Sequence, residues 1–169
     1  MLLIETAHMN ELQRSLVSNG VAAPPANILQ AIDDRLAHRR LDGAPHSIYE
    51  EVWHLAFWQN LTLAWIVGNP APYPKHASQG FPSSSIEAWE KVSARFLDGT
   101  ARASEIAGDS TRLEQTIVCT SLPPQEHRLM PVRDQLQSIT AHNAYHLGRV
   151  VMLRQIFGNW PPPSGGDTW

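Results

Sequence analysis

The chain of 169 residues has one cysteine, Cys119. A lone thiol can neither close an internal disulfide nor form a CxxC metal knuckle, so Cys119 reads as a small core side chain. Long apolar runs are missing as well. No stretch approaches the roughly 20 residues that span a bilayer, and the opening MLLI is too short for a signal-peptide core, so a cytoplasmic location is expected. Charge is not concentrated anywhere: the net charge is −3, the pI is near 6.2, and the two signs are interspersed. That pattern argues against a nucleic-acid surface and a membrane-binding face. No internal repeat and no convincing parallel-strand pattern is visible. With 43% hydrophobic residues the chain has enough apolar mass for one core of its own, and 1–169 is expected to be a single domain ending in a Pro/Gly-rich tail, 158–169.

The punctuation of the chain predicts helices. Residues 2–19 carry apolar Leu2, Leu3, Leu12 and Leu16 and stop at Asn19 and Gly20. Ala26 to Arg39, with Ile28, Leu29, Ile32 and Leu36 at spacings of three and four, reads as a short connecting helix. Ser47 with Glu50 forms a capping box that opens a helix running to about Val67. The proline-rich loop 68–84 then crosses the molecule. Ser84 with Glu87 is a second capping box, and the helix it opens continues to about Ala107. Thr111 with Glu114 repeats the signature, but the run LEQTIVCTSL is β-rich enough to leave helix and strand both open. Pro131 in a first turn opens a last helix reaching Phe157. The simplest architecture is an all-α bundle of four principal helices.

Three histidines carry the chemistry. His142 and His146 in HNAYHLGRV are four residues apart, so on a helix both imidazoles point the same way. His54, in SIYEEVWHLAFWQNLTLAWIV, shares an apolar face with Trp58, Leu61 and Trp65. Each is either a core histidine satisfied by one hydrogen bond or a ligand. A single ion shared by three neutral imidazoles satisfies all of them together. Three ligands leave coordination positions open, the usual catalytic rather than structural count. Position 143 is Asn, so HNAYH lacks the carboxylate base of an HExxH protease.

A base or orienting group has to come from elsewhere. Glu50 and Glu51 lie one turn before His54, where either could orient that imidazole or act on metal-bound water; the capping box already accounts for Glu50, which leaves Glu51 as the candidate. Gln135, two turns before His142, could donate to the ligands from behind. His8, His38, His46, His76 and His127 lack ligand spacing and read as surface residues, and Tyr145 points away from the histidine line. Trp53, Trp58, Trp65 and Trp89 read as core, while Trp160 and Trp169 could anchor the tail over a surface or a neighbouring subunit.

PHSIYEEVWHLAFWQ, GFPSSSIEAWE and AHNAYHLGRVVMLRQIFGNWPP together resemble the DinB/YfiT-like family, over almost the whole chain. That resemblance implies a four-helix bundle of up-down-down-up topology, with the long second connection at 68–84. It also implies a divalent metal, zinc or nickel, on His54, His142 and His146. Many members have Gln where this chain has Arg149. Related proteins include S-transferases and isomerases that use low-molecular-weight thiols, presumed hydrolases, and damage-inducible proteins without assigned chemistry. Three readings follow: a thiol-dependent S-transferase, preferred because a bound thiolate needs no dedicated base; a hydrolase using metal-bound hydroxide; and a non-catalytic metal or small-ligand binding protein of a damage or stress response. A small-molecule substrate and a homodimer are expected, without nucleic acid or membrane.

Overall fold

A computed structural model describes residues 9–17, 22–83 and 87–165. The described chain is mostly helical: α1 (Glu11–Val17), α2 (Pro25–Leu29), α3 (Asp34–Ala37), α4 (Ile48–Ile66), α5 (Trp89–Ala107), α6 (Ser110–Leu113) and α7 (Val132–Ile156), with strands β1 (Thr116–Cys119) and β2 (Arg128–Pro131) between α6 and α7. Leu2, Leu3, Asn19 and Gly20, on which the first helix was read, lie outside the described residues, as do Ser84, His8 and Trp169.

The helix starts follow local chemistry. At α4 the predicted capping box is present, with the Ser47 hydroxyl accepting from the Glu50 amide at 3.3 Å and the Glu50 carboxylate accepting from the Ser47 amide at 2.8 Å. Such a cap contributes about 1 kcal/mol. The expected connecting helix over 26–39 is instead two short helices. Asp33 accepts from the Leu36 amide at 2.7 Å and begins a new helix, while Ala31 takes a left-handed φ of 57° that ends the first. Helix α5 begins at Trp89, its cap residue Ala88 making no side-chain cap. Instead the Asp34 carboxylate of α3 accepts from the Trp89 amide at 3.4 Å, and Glu87 pairs with Arg95. Nor does Thr111 cap α6; Asp109 does, accepting from the amides of Thr111 and Arg112.

The all-α expectation needs one correction. The run that left helix and strand open is a strand, because Ile117 and Cys119 alternate inward while Thr116 and Val118 face out. It pairs antiparallel with β2, from Thr116 opposite Pro131 to Cys119 opposite Arg128. Pro131 then ends β2 and caps α7, tolerable at a strand edge and a helix start because it has no amide to leave unpaired.

Two apolar clusters fill the interior. One joins Ile48, Val52 and Leu55 of α4 to Trp89, Val92 and Phe96 of α5 and Val150 and Leu153 of α7. The other joins Leu63 and Trp65 of α4 to Ala103 and Ile106 of α5 and Val132, Leu136 and Ile139 of α7. The first cluster therefore takes the starts of α4 and α5 and the end of α7, so α4 and α5 run in the same sense and α7 runs against them. Where the clusters part, buried polar residues from all three helices meet: His54 and Gln59, Thr100, Asn143 and His146. No described helix is long and apolar enough to cross a membrane.

Candidate metal centre

The three histidines meet at this level. One ligand atom from each of His54, His142 and His146 lies within 4.8 Å of the others. The Nε2 atoms of His54 and His142, 88 positions apart in the chain, are 3.1 Å from each other. Two nitrogens on a tetrahedral zinc with bonds of about 2.0–2.1 Å would stand roughly 3.3 Å apart. His54 and His146 are buried and His142 is half-buried.

Two rings are held from behind. His54 Nδ1 lies 2.7 Å from the Gly80 carbonyl. A carbonyl can only accept, so Nδ1 carries the proton and Nε2 keeps its lone pair. His146 Nδ1 lies 2.6 Å from Glu51 Oε2 and donates to that carboxylate, which leaves its Nε2 as the free donor atom. An oxygen behind the imidazole is the usual support of a metal-binding histidine, fixing tautomer and orientation together. Burial, partly offset by the Gly80 carbonyl, pushes the His54 pKa down to about 4. Burial, with the neighbouring His146 and His54, also takes His142 to about 4. Both rings are thus neutral at physiological pH, the form that binds a metal. With His54 Nε2 unprotonated, the short approach to His142 needs either a proton on His142 Nε2 or a shared cation. The donor set therefore fits a divalent ion, with nitrogen ligands suited to zinc or nickel.

Glu51 does part of what the sequence suggested, toward a different ring. It is fully buried on α4 and orients His146 of α7, one of the two chain-distant imidazoles, rather than His54. Arg149 Nη2 stands 2.9 Å from Glu51 Oε1, at an angle outside hydrogen-bond geometry, so Oε1 has no hydrogen-bond partner. Glu50 serves the cap and pairs with Arg40. Gln135 does not support the ligands: its amide faces Thr62 at 3.5 Å and the buried Cys119 thiol at 3.6 Å.

Loop and aromatic residues complete the site, and several escaped the sequence reading. Gly80 ends a short 3-10 turn at Ala77–Gly80. A Cβ there would stand 3.0 Å from Trp58 Nε1 and 3.3 Å from His54 Nδ1, so its missing side chain permits the loop's close approach. Phe81 stacks on His54 with centroids 4.1 Å apart, and His46, read as a surface residue, stacks on the other side of Phe81 at 3.9 Å. Trp58 is only half-buried and meets the edges of His54 and His142, with Tyr73 beside it. It walls the site as much as it fills the core. Of the remaining histidines, half-buried His38 packs on Tyr49, His76 is exposed, and His127 accepts from the Ser121 amide. Tyr145, expected to point away from the histidine line, is exposed, yet its ring meets that of His146 with centroids 5.0 Å apart. Trp160 packs against Arg154 of its own chain, and the tail is tied to α2 and the turn after it by Asn27 and Gln30.

The fold and site together define a helical protein with a three-histidine cluster able to hold a divalent ion. The chain belongs to the DinB superfamily, whose family model matches residues 26–150. No curated protein and no solved structure matches it.

Proposed function

We propose that this chain is a divalent-metal enzyme that transfers a low-molecular-weight thiol to an electrophilic small molecule, with His54, His142 and His146 as the metal ligands. The observation that carries the metal reading is the pair of anchored rings. His54 donates to Gly80 and His146 to Glu51, which leaves their Nε2 lone pairs for a shared cation. A divalent ion, zinc or nickel, would supply Lewis acidity that lowers the pKa of a bound thiol or water. α1, α4, α5 and α7 are the principal helices of an up-down-down-up bundle, supported by the parallel course of α4 and α5 and the long connection between them. Residues 1–169 form one domain in this reading.

The state of Glu51 favours thiol transfer over hydrolysis. It is fully buried, one oxygen is taken by His146, and the other faces Arg149. A carboxylate so placed orients a ligand rather than taking a proton from water, whereas a thiol needs no dedicated base. Trp58, Tyr73 and Phe81 give the substrate an aromatic wall beside the ligands.

The test is conjugation of glutathione, bacillithiol or mycothiol to a halogenated aromatic or bimane reagent by zinc- or nickel-loaded protein. The expected rate requires both thiol and metal and disappears on chelation. Ester or amide hydrolysis without a thiol would support the hydrolase instead. A metal-loaded protein that consumes no thiol, and whose cobalt-substituted spectrum no thiol perturbs, overturns thiol transfer and leaves a binding protein.

A further inference from the structure

Arg149 is charged, half-buried and without a hydrogen bond to any of the described residues. Its Nη2 stands 2.9 Å from Glu51 Oε1 outside hydrogen-bond geometry, so the attraction is charge on charge and that oxygen keeps no donor. The Tyr145 ring lies on another side, its centroid 5.9 Å from the guanidinium carbon. Carboxylate and ring hold the group in place and accept none of its five N–H donors. Only 26% of the side chain is exposed, and unspent donors in such a position are costly until an acceptor reaches them.

Arg149 borders a cavity of about 360 Å³, a size within the range of small-molecule sites. The cavity lies between the turn 41–46, ahead of α4, and Met152 and Leu153 of α7. Arg149 is the only arginine or lysine in its wall. The other ionisable side chains there are Asp42, which is exposed, and His46. Two routes connect this cavity to the three-histidine cluster. On one side a single carboxylate, Glu51, separates Arg149 from His146, with contacts of 2.9 and 2.6 Å. On the other a single ring, Phe81, separates His46 from His54, with centroids 3.9 and 4.1 Å apart. Adding the widths of a carboxylate and an imidazole to the first route puts Arg149 Nη2 no more than about 10 Å from His146 Nε2, the length of an extended tripeptide.

We propose that Arg149 forms a subsite for a carboxylate of the thiol co-substrate, so that the protein takes a carboxylate-bearing thiol, glutathione or bacillithiol, and discriminates against mycothiol, which has no carboxylate. The identity of the ligand rests on the thiol-transfer reading given above. A guanidinium receives a carboxylate through two parallel N–H···O bonds, a geometry that an ammonium group does not offer. Glu51 holds Arg149 by charge without using its donors, which leaves the fork free for a second carboxylate. The apolar wall of the cavity keeps water from competing for the same donors. Arg149 binds and orients the thiol and takes no part in moving a proton.

The test reads the Arg149 Nε–H resonance in zinc-loaded, 15N-arginine-labelled protein, assigned through the backbone. S-methylglutathione and S-methylbacillithiol keep their carboxylates but have no free thiol, and one or both should shift this resonance; the larger shift names the co-substrate. Their carboxylate esters should leave it in place. In conjugation assays Arg149→Gln should raise KM for glutathione or bacillithiol about ten- to a hundredfold with kcat nearly unchanged, while KM for mycothiol stays as it is and zinc remains bound. A resonance that neither derivative moves, an unchanged KM in Arg149→Gln, or turnover of mycothiol as ready as that of the other two overturns the subsite and leaves thiol transfer standing. A shift of Arg149 by the free carboxylates but not by their esters, with no thiol conjugated in any assay, keeps the subsite and overturns the transferase. The resonance is read on the unaltered protein, so it decides the matter even if the glutamine variant does not fold.

Discussion

Glu51→Gln isolates the charge behind His146 while keeping the shape of the side chain. The native carboxylate accepts from His146 Nδ1 at 2.6 Å from a fully buried position. A hydrogen bond to a charged group is worth about 1.5–3 kcal/mol and a neutral one about 1, so the substitution removes on the order of 1 kcal/mol from the support of that ring. The loss extends to the second oxygen. With the amide oxygen kept on His146, its NH2 group faces the Arg149 guanidinium, which stands 2.9 Å from Glu51 Oε1 in the native protein, and two donors meet without an acceptor. Arg149 is partly exposed and can turn toward water, which limits that penalty. Zinc affinity should therefore fall about tenfold in Glu51→Gln, and toward a hundredfold in Glu51→Ala, where nothing orients His146. Competition titration against a chromophoric chelator measures it, with circular dichroism to establish that each variant is folded. Zinc affinity in folded Glu51→Gln equal to that of the parent would refute the argument and make Glu51 a partner for Arg149 alone.

Purified protein should carry about one divalent ion per chain, and His142→Ala and His54→Ala should each lose it, since two imidazoles make a poor site; elemental analysis after zinc or nickel incubation checks both, and full retention in either removes that histidine from the ligand set. In metal-free protein the depressed pKa values of His54 and His142, both about 4 against an ordinary 6.5, mean that the unfolded chain binds more protons between those limits. Stability should hold above pH about 6.5 and decline toward about 4, by up to roughly 3 kcal/mol for each ring; urea titrations from pH 7 to 4 with no such decline would contradict the burial of neutral imidazoles. Arg154 is fully buried and donates to the Ile28 carbonyl and to both the backbone and side-chain oxygens of Asn159. Arg154→Met leaves those acceptors behind and should cost about 3 kcal/mol, a melting point lower by roughly 6–12 °C in calorimetry.

Signals confined to a few neighbouring residues were legible in the sequence. The Ser47 capping box, the opening of α7 after Pro131 and the four-residue spacing of His142 and His146 each depend on one turn of chain, and each is present. Signals that depend on a partner elsewhere were not. Nothing near Trp89 reveals that Asp34 accepts from its amide, and β2 lacks the alternation that marks β1 because its first two residues are exposed and its last two only half-buried. The break at Ala31 to Asp33 was hidden by an apolar spacing that continues across it, with Ile28, Ile32 and Leu36 in phase.

The support of the site follows the same division. Each of the three histidines could be singled out from its own helix, because a polar ring on an apolar face stands out locally. The oxygens behind them come from other segments: the loop carbonyl of Gly80 for α4, and Glu51 of α4 for α7. Gln59, Thr100 and Asn143 each interrupt an apolar face as an ordinary polar residue would. Their common meaning depends on α4, α5 and α7 being aligned so that the three interruptions fall at one level, between the two apolar clusters. Without that level the amides of Gln59 and Asn143 would lose the partners they have in each other and in α5, at a cost of about 1–3 kcal/mol apiece. The packing that separates the clusters is therefore what allows a buried polar site at this height of the fold, and it is also why the three histidines stand out in the sequence while most of the groups behind them do not.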